Sequence, residues 1–169
     1  HATSSPSMDI SKASNFERMI FDALGRDADC TRDLFGTQVK HGGFSLDDDT
    51  LHHITSDLGF ASSTSTHADR VDTIKQVDDE FGVLVDPHTA DGVFVAKQFA
   101  NEVDTPIVVL ETALPVKFAD TIRESTGREP EVPERFATIM DAERHVVDLP
   151  NDADTVKAFI ADAIDRTDV

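Results

Sequence analysis

Thr112 is the residue whose position points most directly to chemistry. It follows the apolar run 107–110 and precedes a break at Pro115. A short continuous apolar run predicts a buried strand of a parallel sheet, and open α/β sheets bind ligands beyond the carboxyl ends of their strands. A neutral hydroxyl at that place could hydrogen-bond a heterocyclic nitrogen without forcing its protonation. The alternative is a threonine that only satisfies the backbone of a turn.

His88 and Lys117 are two further candidates for a site. His88 lies in the first turn of a predicted helix that Asp86 caps and Pro87 begins. The positive end of a helix disfavours a protonated imidazole, so His88 could line a crevice or act as a neutral acid or base. The alternative is a histidine bonded to the local backbone. Lys117 could bind an anion or pair with a surface acid.

Other reactive residue types lack the spacing that their chemistry needs. The acids at 47–49 with His52 and His53 match neither tetrahedral ligand spacing nor a calcium loop, so we predict no metal site. His67 has serine and aspartate neighbours, but no G-x-S-x-G elbow occurs. Cys30 is the single cysteine, which excludes an internal disulfide and favours an intracellular protein with a structural thiol.

These candidates need an α/β framework to position them. Apolar residues at helical spacing, capping residues and terminal glycines predict helices; these cover about 16–24 (with Ser14 or Asn15 as its cap), 27–39, 47–59, 67–81, 87–99, 115–124, 133–140 and 156–164. Short apolar runs predict strands at 60–62, 83–85 and 107–110. Many helices around few strands indicate the helix-rich portion of an open, mostly parallel sheet, with further strands in a part of the protein outside this sequence.

Charge excludes several classes of partner. The 169 residues carry 15 basic and 33 acidic side chains, a formal net charge of −18. Nucleic acids and anionic membranes both need a basic face, so neither is expected to bind. The sequence has no apolar run long enough for a membrane span and no visible secretory signal. It begins with His1 rather than Met, which indicates processing or truncation.

Five stretches resemble a known family when they are taken together. They are SSPSMDISKASNFERMIFDALGRD, STHADRVDTI, VLVDPHTADGV, VVLETALPVKFADTI and DLPNDADTVKAFI. In this order they are similar to the carboxyl-terminal part of threonine synthases, and the similarity covers essentially the whole chain, 1–169. The resemblance implies an enzyme of the tryptophan-synthase β-subunit-like group, fold type II, which uses pyridoxal 5'-phosphate (PLP).

The resemblance also implies a reaction and a role for Thr112. The family converts O-phospho-L-homoserine and water to L-threonine and phosphate in threonine biosynthesis, here as a bacterial, cytoplasmic enzyme. A Ser or Thr hydroxyl meets the pyridine nitrogen of the cofactor, and Thr112 matches that position. His88 and Lys117 are weaker candidates to line the site. Many members carry histidine where this chain has Leu114, which puts a role for that side chain in doubt.

Two parts of a PLP site have no counterpart in the sequence. The family's cofactor-binding lysine and its Gly-rich phosphate loop lie upstream, and nothing here matches either. We therefore expect no catalytic residue in this chain, the remainder of its own polypeptide as a partner, and no activity from the chain alone. The alternative function is a non-enzymatic, acidic α/β module that binds a partner or an effector.

Overall fold

The computed structural model describes residues 2–10, 13–139 and 141–167. His1 and Met140, the last residue of the helix predicted over 133–140, lie outside the described residues. The chain divides into two compact units, His1–Glu131 and Val132–Val169. The α-helices of the described residues are α1 (Ser14–Ala23), α2 (Ala28–Arg32), α3 (Asp48–His52), α4 (His67–Phe81), α5 (Pro87–Phe99), α6 (Ala119–Thr126) and α7 (Ala153–Thr167). None of the described helices is both long and apolar enough to cross a membrane.

The first three helices surround one apolar cluster. Ile20, Leu34, Phe35 and Ile54 are buried together. Helix α2 is extended by a π-helical turn (Asp33–Thr37) and a 3-10 turn (Gln38–His41), and α3 by a π-helical turn (His53–Asp57). The predicted helices at 27–39 and 47–59 are therefore present as mixed helical runs. Helix α1 begins at Ser14 and its N-cap is Ala13, which makes no side-chain bond, so the predicted cap at Ser14 or Asn15 is wrong.

The second cluster is formed by α4, α5 and α6. Ile74 and Val77 of α4 pack with Ala90 of α5, Ile122 of α6 and Val85 of the connecting loop. Both long helices begin on side-chain caps that the sequence predicts. Thr66 and Asp69 form a capping box at α4, and Asp86 caps α5, whose first residue is Pro87. Such caps are each worth about 1 kcal/mol and fix where a helix starts.

The predicted strands have no ladder in the described part of the chain. Residues 60–62, 83–85 and 107–110 all lack strand structure, and the open sheet is not seen. The physical reason is that a strand exists through hydrogen bonds to a neighbouring strand. In the apolar segment, as we call residues 107–110, Val108 and Leu110 are 79% and 76% exposed while Val109 is half-buried. This alternation is that of an extended chain with one uncovered face.

The second unit is built around its terminal helix. The predicted helix over 133–140 is reduced to a 3-10 turn, Glu134–Phe136. Helix α7 is present as predicted, with Asp152 accepting hydrogen bonds from the N–H and hydroxyl of Thr155 near its start (2.8 and 2.7 Å). Its apolar residues Val156, Phe159, Ile160 and Ile164 are exposed.

Candidate functional site

A groove in the first unit brings together two of the three candidate residues. It has a volume of about 1060 Å³. Its walls come from the N-terminal segment (residues 2–10), from α5, from residues 63–65 and from the apolar segment. Thr112 and His88 both line it, whereas Lys117 is not among its lining residues. The groove runs along the apolar segment, and Thr112 lines it two residues beyond the end of that segment.

Thr112 lies at the exposed end of the segment that forms one wall. Its backbone N–H donates to Thr89 Oγ1 of α5 at 3.3 Å. Among the described residues its own hydroxyl has no hydrogen-bond partner, so it is available to a ligand in the groove. Three residues before Thr112, Val109 packs against α5 at Gly92, where an added Cβ would lie 3.0 Å from Val109 Cγ1.

His88 is buried and engaged through both ring nitrogens. Its Nδ1 is 2.7 Å from Asp86 Oδ1, and its Nε2 accepts from the Ser7 N–H at 3.0 Å. Because Nε2 accepts a hydrogen bond, the proton lies on Nδ1 and the imidazole is neutral. The ring meets Phe118 edge to face, with centroids 4.8 Å apart. In this arrangement His88 joins segments of the chain, and neither nitrogen is available for proton transfer.

Asp86 is the centre of this buried polar group. Its side chain is fully buried and accepts from the His88 ring, the His88 N–H (3.0 Å) and the Thr89 hydroxyl. Burial by itself would raise the pKa of Asp86. The hydrogen bonds from Thr89 and His88 outweigh burial, and the pKa of Asp86 lies below its usual value.

A second polar group fixes the N-terminal segment against α4 and α5. Arg70 is buried, and its Nε donates to Asp91 Oδ1 at 2.9 Å. The hydroxyl of Ser5 donates to the other Asp91 oxygen at 2.7 Å, and Arg70 Nη1 donates to Ser4 Oγ at 2.5 Å. Arg70 and Asp91 line the groove, but each already neutralises the other.

Lys117 lies apart from these groups. It is exposed in the 3-10 turn Pro115–Phe118, and no ion pair joins it to another described residue. The position neither pairs it with a surface acid nor places it in the groove. Its role in a site stays a prediction.

The acidic and histidine residues between 47 and 57 have local structural roles and do not form a metal site in the described structure. Asp47 accepts from the Thr50 N–H at 2.8 Å as the cap of α3, and His53 pairs with Asp57 at 2.8 Å. In the part of the chain that the structure describes, no group of three or more His, Cys, Asp or Glu side chains could hold a metal ion. Cys30 is a free, half-buried thiol beside the first apolar cluster.

Sequence reasoning missed Thr89, Arg70 and the N-terminal serines. Thr89 carried a usable signal, since a hydroxyl three residues after an N-cap aspartate can reach the capping carboxylate. Arg70 lies four residues before Ile74, on the buried face of α4, where a charged residue indicates a buried partner. Nothing in the sequence pairs Ser4 or Ser5 with residues more than 60 positions away.

A family model and several known proteins match this chain. The family model described as threonine synthase, C-terminal, matches residues 89–160. A threonine synthase of Corynebacterium glutamicum is 65% identical over 100% of this chain, and one of Methylobacillus glycogenes is 46% identical over 96%. The chain covers 35% and 34% of these relatives, so it spans about a third of their length.

Solved structures give the same result. A crystal structure of PLP-bound threonine synthase from Brucella melitensis superimposes with a TM-score of 0.79 at 37% identity, covering 95% of this chain and 34% of that one. Yeast threonine synthase superimposes with a TM-score of 0.78 at 23% identity, covering 98% and 37%, and so supports the fold alone. On the identity over its whole length, the chain belongs to the threonine synthase family.

Proposed function

We propose that this chain is part of a threonine synthase that converts O-phospho-L-homoserine and water to L-threonine and phosphate with PLP as cofactor. The observation that carries the proposal is the 65% identity with the Corynebacterium glutamicum threonine synthase over the whole chain. The reaction belongs to the complete polypeptide, which we expect to act in the cytoplasm. The chain contributes one side of the site.

The groove fits one part of the cofactor. The Thr112 hydroxyl is neutral, exposed and without a partner among the described residues, so it can hydrogen-bond the pyridine nitrogen. Aliphatic side chains of Val95 and Val109 line the same groove and suit a flat ring. When bound, PLP supplies an electron sink for the carbanion chemistry of an amino-acid substrate.

The groove does not fit the cofactor phosphate. Arg70 is the cation among its described lining residues, and it is already paired with Asp91. We therefore propose that the phosphate site and the cofactor-binding lysine belong to the upstream part of the polypeptide. No residue of this chain is assigned proton transfer. Lys117 remains a candidate to line the assembled site because its ammonium group is exposed.

The uncovered apolar segment supports a proposal about the complete fold. Val108 and Leu110 are exposed in a segment that alternates as a strand does. We propose that residues 107–110 join a mostly parallel sheet whose other strands come from the upstream part of the polypeptide. That sheet would leave Thr112 just beyond the carboxyl end of its strand, where ligands bind in such folds.

The function is tested with the full-length protein that contains this chain. Phosphate and threonine formation from O-phospho-L-homoserine is measured with PLP present. We expect turnover by the full-length protein and none by the chain alone. Thr112→Ala should lower kcat by about tenfold, the value of one hydrogen bond, and Thr112→Ser should restore most of it.

A matched control keeps the result specific to the site. Thr31→Val removes the hydroxyl of a buried residue of α2 that donates to Asp27 O at 2.8 Å, away from the groove, and it should leave kcat unchanged. Full-length protein that binds PLP but forms no threonine would overturn the assignment of the reaction. Turnover by the chain alone would overturn the division of the site between two parts of the polypeptide.

A further inference from the structure

The segment that carries Thr112 rests on one face of α5. Thr89 and Gly92 are one helical turn apart on that face. Thr89 accepts the Thr112 N–H at 3.3 Å, and Gly92 leaves room for Val109, whose Cγ1 would be 3.0 Å from a Cβ at position 92. These two contacts with α5 therefore fix where the apolar segment and Thr112 lie along the helix and how closely they approach it.

The hydroxyl of Thr89 is itself oriented. It donates its single proton to Asp86 Oδ2, so its oxygen lone pairs are left to accept the Thr112 N–H. Asp86 is fully buried, and its other oxygen is occupied by the backbone N–H and the ring of His88. A rotation of the Thr89 side chain would break the bond to Asp86 inside the protein, where no water replaces it.

The same carboxylate also holds the N-terminal segment, which forms another wall of the groove. It holds the His88 ring, and the Nε2 of that ring accepts the Ser7 N–H at 3.0 Å. Met8, Asp9 and Ile10, which follow Ser7, line the groove together with Thr112. One carboxylate thus reaches the two walls through two different side chains.

We propose that Asp86 and Thr89 are positioning residues that hold the Thr112 hydroxyl within hydrogen-bonding distance of the ring nitrogen of a bound cofactor. This inference rests on the proposed function of Thr112 as the partner of the PLP ring nitrogen. It assigns to Thr89 no contact with cofactor or substrate. Thr89 acts through the backbone of residue 112, and Asp86 acts by directing the Thr89 hydroxyl.

The link is tested first without the cofactor. Hydrogen–deuterium exchange with residue-resolved mass spectrometry is measured on the cofactor-free, full-length protein. Thr89→Val removes the acceptor of the Thr112 N–H, so exchange at residue 112 should accelerate about fivefold, within the range expected for one hydrogen bond. Thr89→Ser keeps the oxygen and should match the wild type. Thr31→Val is the matched control, and it should leave exchange at residue 112 unchanged.

The consequence for the cofactor is tested by a double-mutant cycle. PLP affinity is measured from the absorbance and fluorescence of the bound cofactor in the full-length protein. Thr89→Val should weaken PLP binding severalfold in the wild type but should have no further effect in the Thr112→Val background, where the hydroxyl that it positions is gone. Equal effects of Thr89→Val in both backgrounds would overturn the proposal.

A second variant keeps the test independent of the hydrogen bonds. Gly92→Ala preserves every side chain of the polar group but pushes a methyl group against Val109. It should weaken PLP binding in the wild type and have no further effect in the Thr112→Val background. An unaltered PLP affinity in Gly92→Ala would contradict the idea that the contact of Val109 with α5 at Gly92 sets the position of Thr112.

Failure of this inference can be told apart from failure of the proposed function. If the full-length protein forms threonine but Thr89→Val leaves both residue 112 exchange and PLP affinity unchanged, the positioning role is overturned and the function stands. If the protein binds no PLP, the proposed function fails and the positioning role falls with it, whatever the exchange measurement gives.

Discussion

Two aspartates of this chain cap helices in the same way but lie in different surroundings. Asp27 accepts the N–H groups of Asp29 and Cys30 at the start of α2 and is exposed. Asp86 is the N-cap of α5 and is fully buried, and it also accepts hydrogen bonds from the side chains of Thr89 and His88. In the exposed case water can replace a lost bond. In the buried case each lost partner leaves an unpaired group.

We expect Asp86→Asn to destabilise the protein far more than Asp27→Asn. The exposed cap should cost about 1 kcal/mol. At Asp86 the amide turns an N–H₂ group towards one of its donors, so a loss of about 3 kcal/mol is expected at neutral pH. Urea unfolding of the two variants gives the comparison. Equal losses in the free energy of unfolding would show that burial of Asp86 does not add to its contribution.

The pH dependence of that difference has a defined sign. The pKa of Asp86 is lower in the folded protein than its ordinary value because the hydrogen bonds from Thr89 and His88 outweigh burial. A depressed pKa contributes stability that is present above the unfolded-state pKa of about 4 and is lost as the pH falls through the folded-state pKa. The stability gap between wild type and Asp86→Asn should therefore shrink below about pH 4. Urea unfolding at several acidic pH values measures the gap, and a widening gap would contradict this ordering of the pKa values.

At the residue scale the sequence predicts what is local. Thr66 and Asp86 are found as caps because a capping residue and its donors lie within three positions of each other. The pairing of Arg70 with Ser4, 66 positions apart, depends on how helices pack, which no local pattern encodes. Of the residues that line the groove, the sequence therefore singled out Thr112 and His88, but it gave no signal for the N-terminal segment.

At the scale of elements, α4 carries a charged residue on its buried face. Arg70 and Thr73 are buried beside Ile74 and Val77, and Arg70 joins Asp91 of α5. This ion pair replaces apolar packing at the end of α4 nearest the N-terminal segment. The contact between α4 and α5 is thus apolar in the middle and ionic where the N-terminal segment meets it.

Arg70→Ala should loosen that end of the helix pair. It leaves Asp91 partly buried without its cation, so we expect a loss of about 3 kcal/mol and faster protease cleavage within residues 2–10. Lys75→Ala is the matched control, because it breaks an exposed pair with Asp79 in the same helix and should cost under about 0.5 kcal/mol. Thermal unfolding and limited proteolysis measure both effects. Unchanged cleavage in Arg70→Ala would show that the pair does not retain the segment.

Helices were predicted better than strands for a physical reason. Helix α5 was expected over 87–99 and is found at Pro87–Phe99, since a helix bonds within itself and its signals are contiguous. The apolar segment was expected to be a strand and has no partner in the described part of the chain. Its hydrophobicity predicts burial, but Val108 and Leu110 are exposed in the described structure. We propose that residues upstream in the full-length protein cover them.

At the scale of the whole molecule, the apolar segment is uncovered in this chain, and we propose that it is covered in the full-length protein. We expect Val108→Lys to change the stability of the chain alone by less than about 0.5 kcal/mol, because Val108 is 79% exposed there. In the full-length protein, where we propose a buried strand, the same change buries an ammonium group and should cost several kcal/mol.

The comparison is made by unfolding both forms of the protein. Leu58→Lys serves as the control, since Leu58 is an exposed apolar residue outside the predicted strands and should be tolerated in both. A full-length Val108→Lys protein as stable as the wild type would refute the strand assignment of residues 107–110.

The hydrogen bonds between the N-terminal segment and α5 have a consequence for synthesis on the ribosome. Ser5 bonds to Asp91, 86 positions later, and Ser7 to His88, 81 positions later. At ordinary elongation rates those partners emerge on the order of ten seconds after the serines. Until then the N-terminal segment has neither of these partners. We therefore expect the N-terminal segment, which is synthesised first in this chain, to dock onto α5 only after residues 88–91 have emerged from the ribosome.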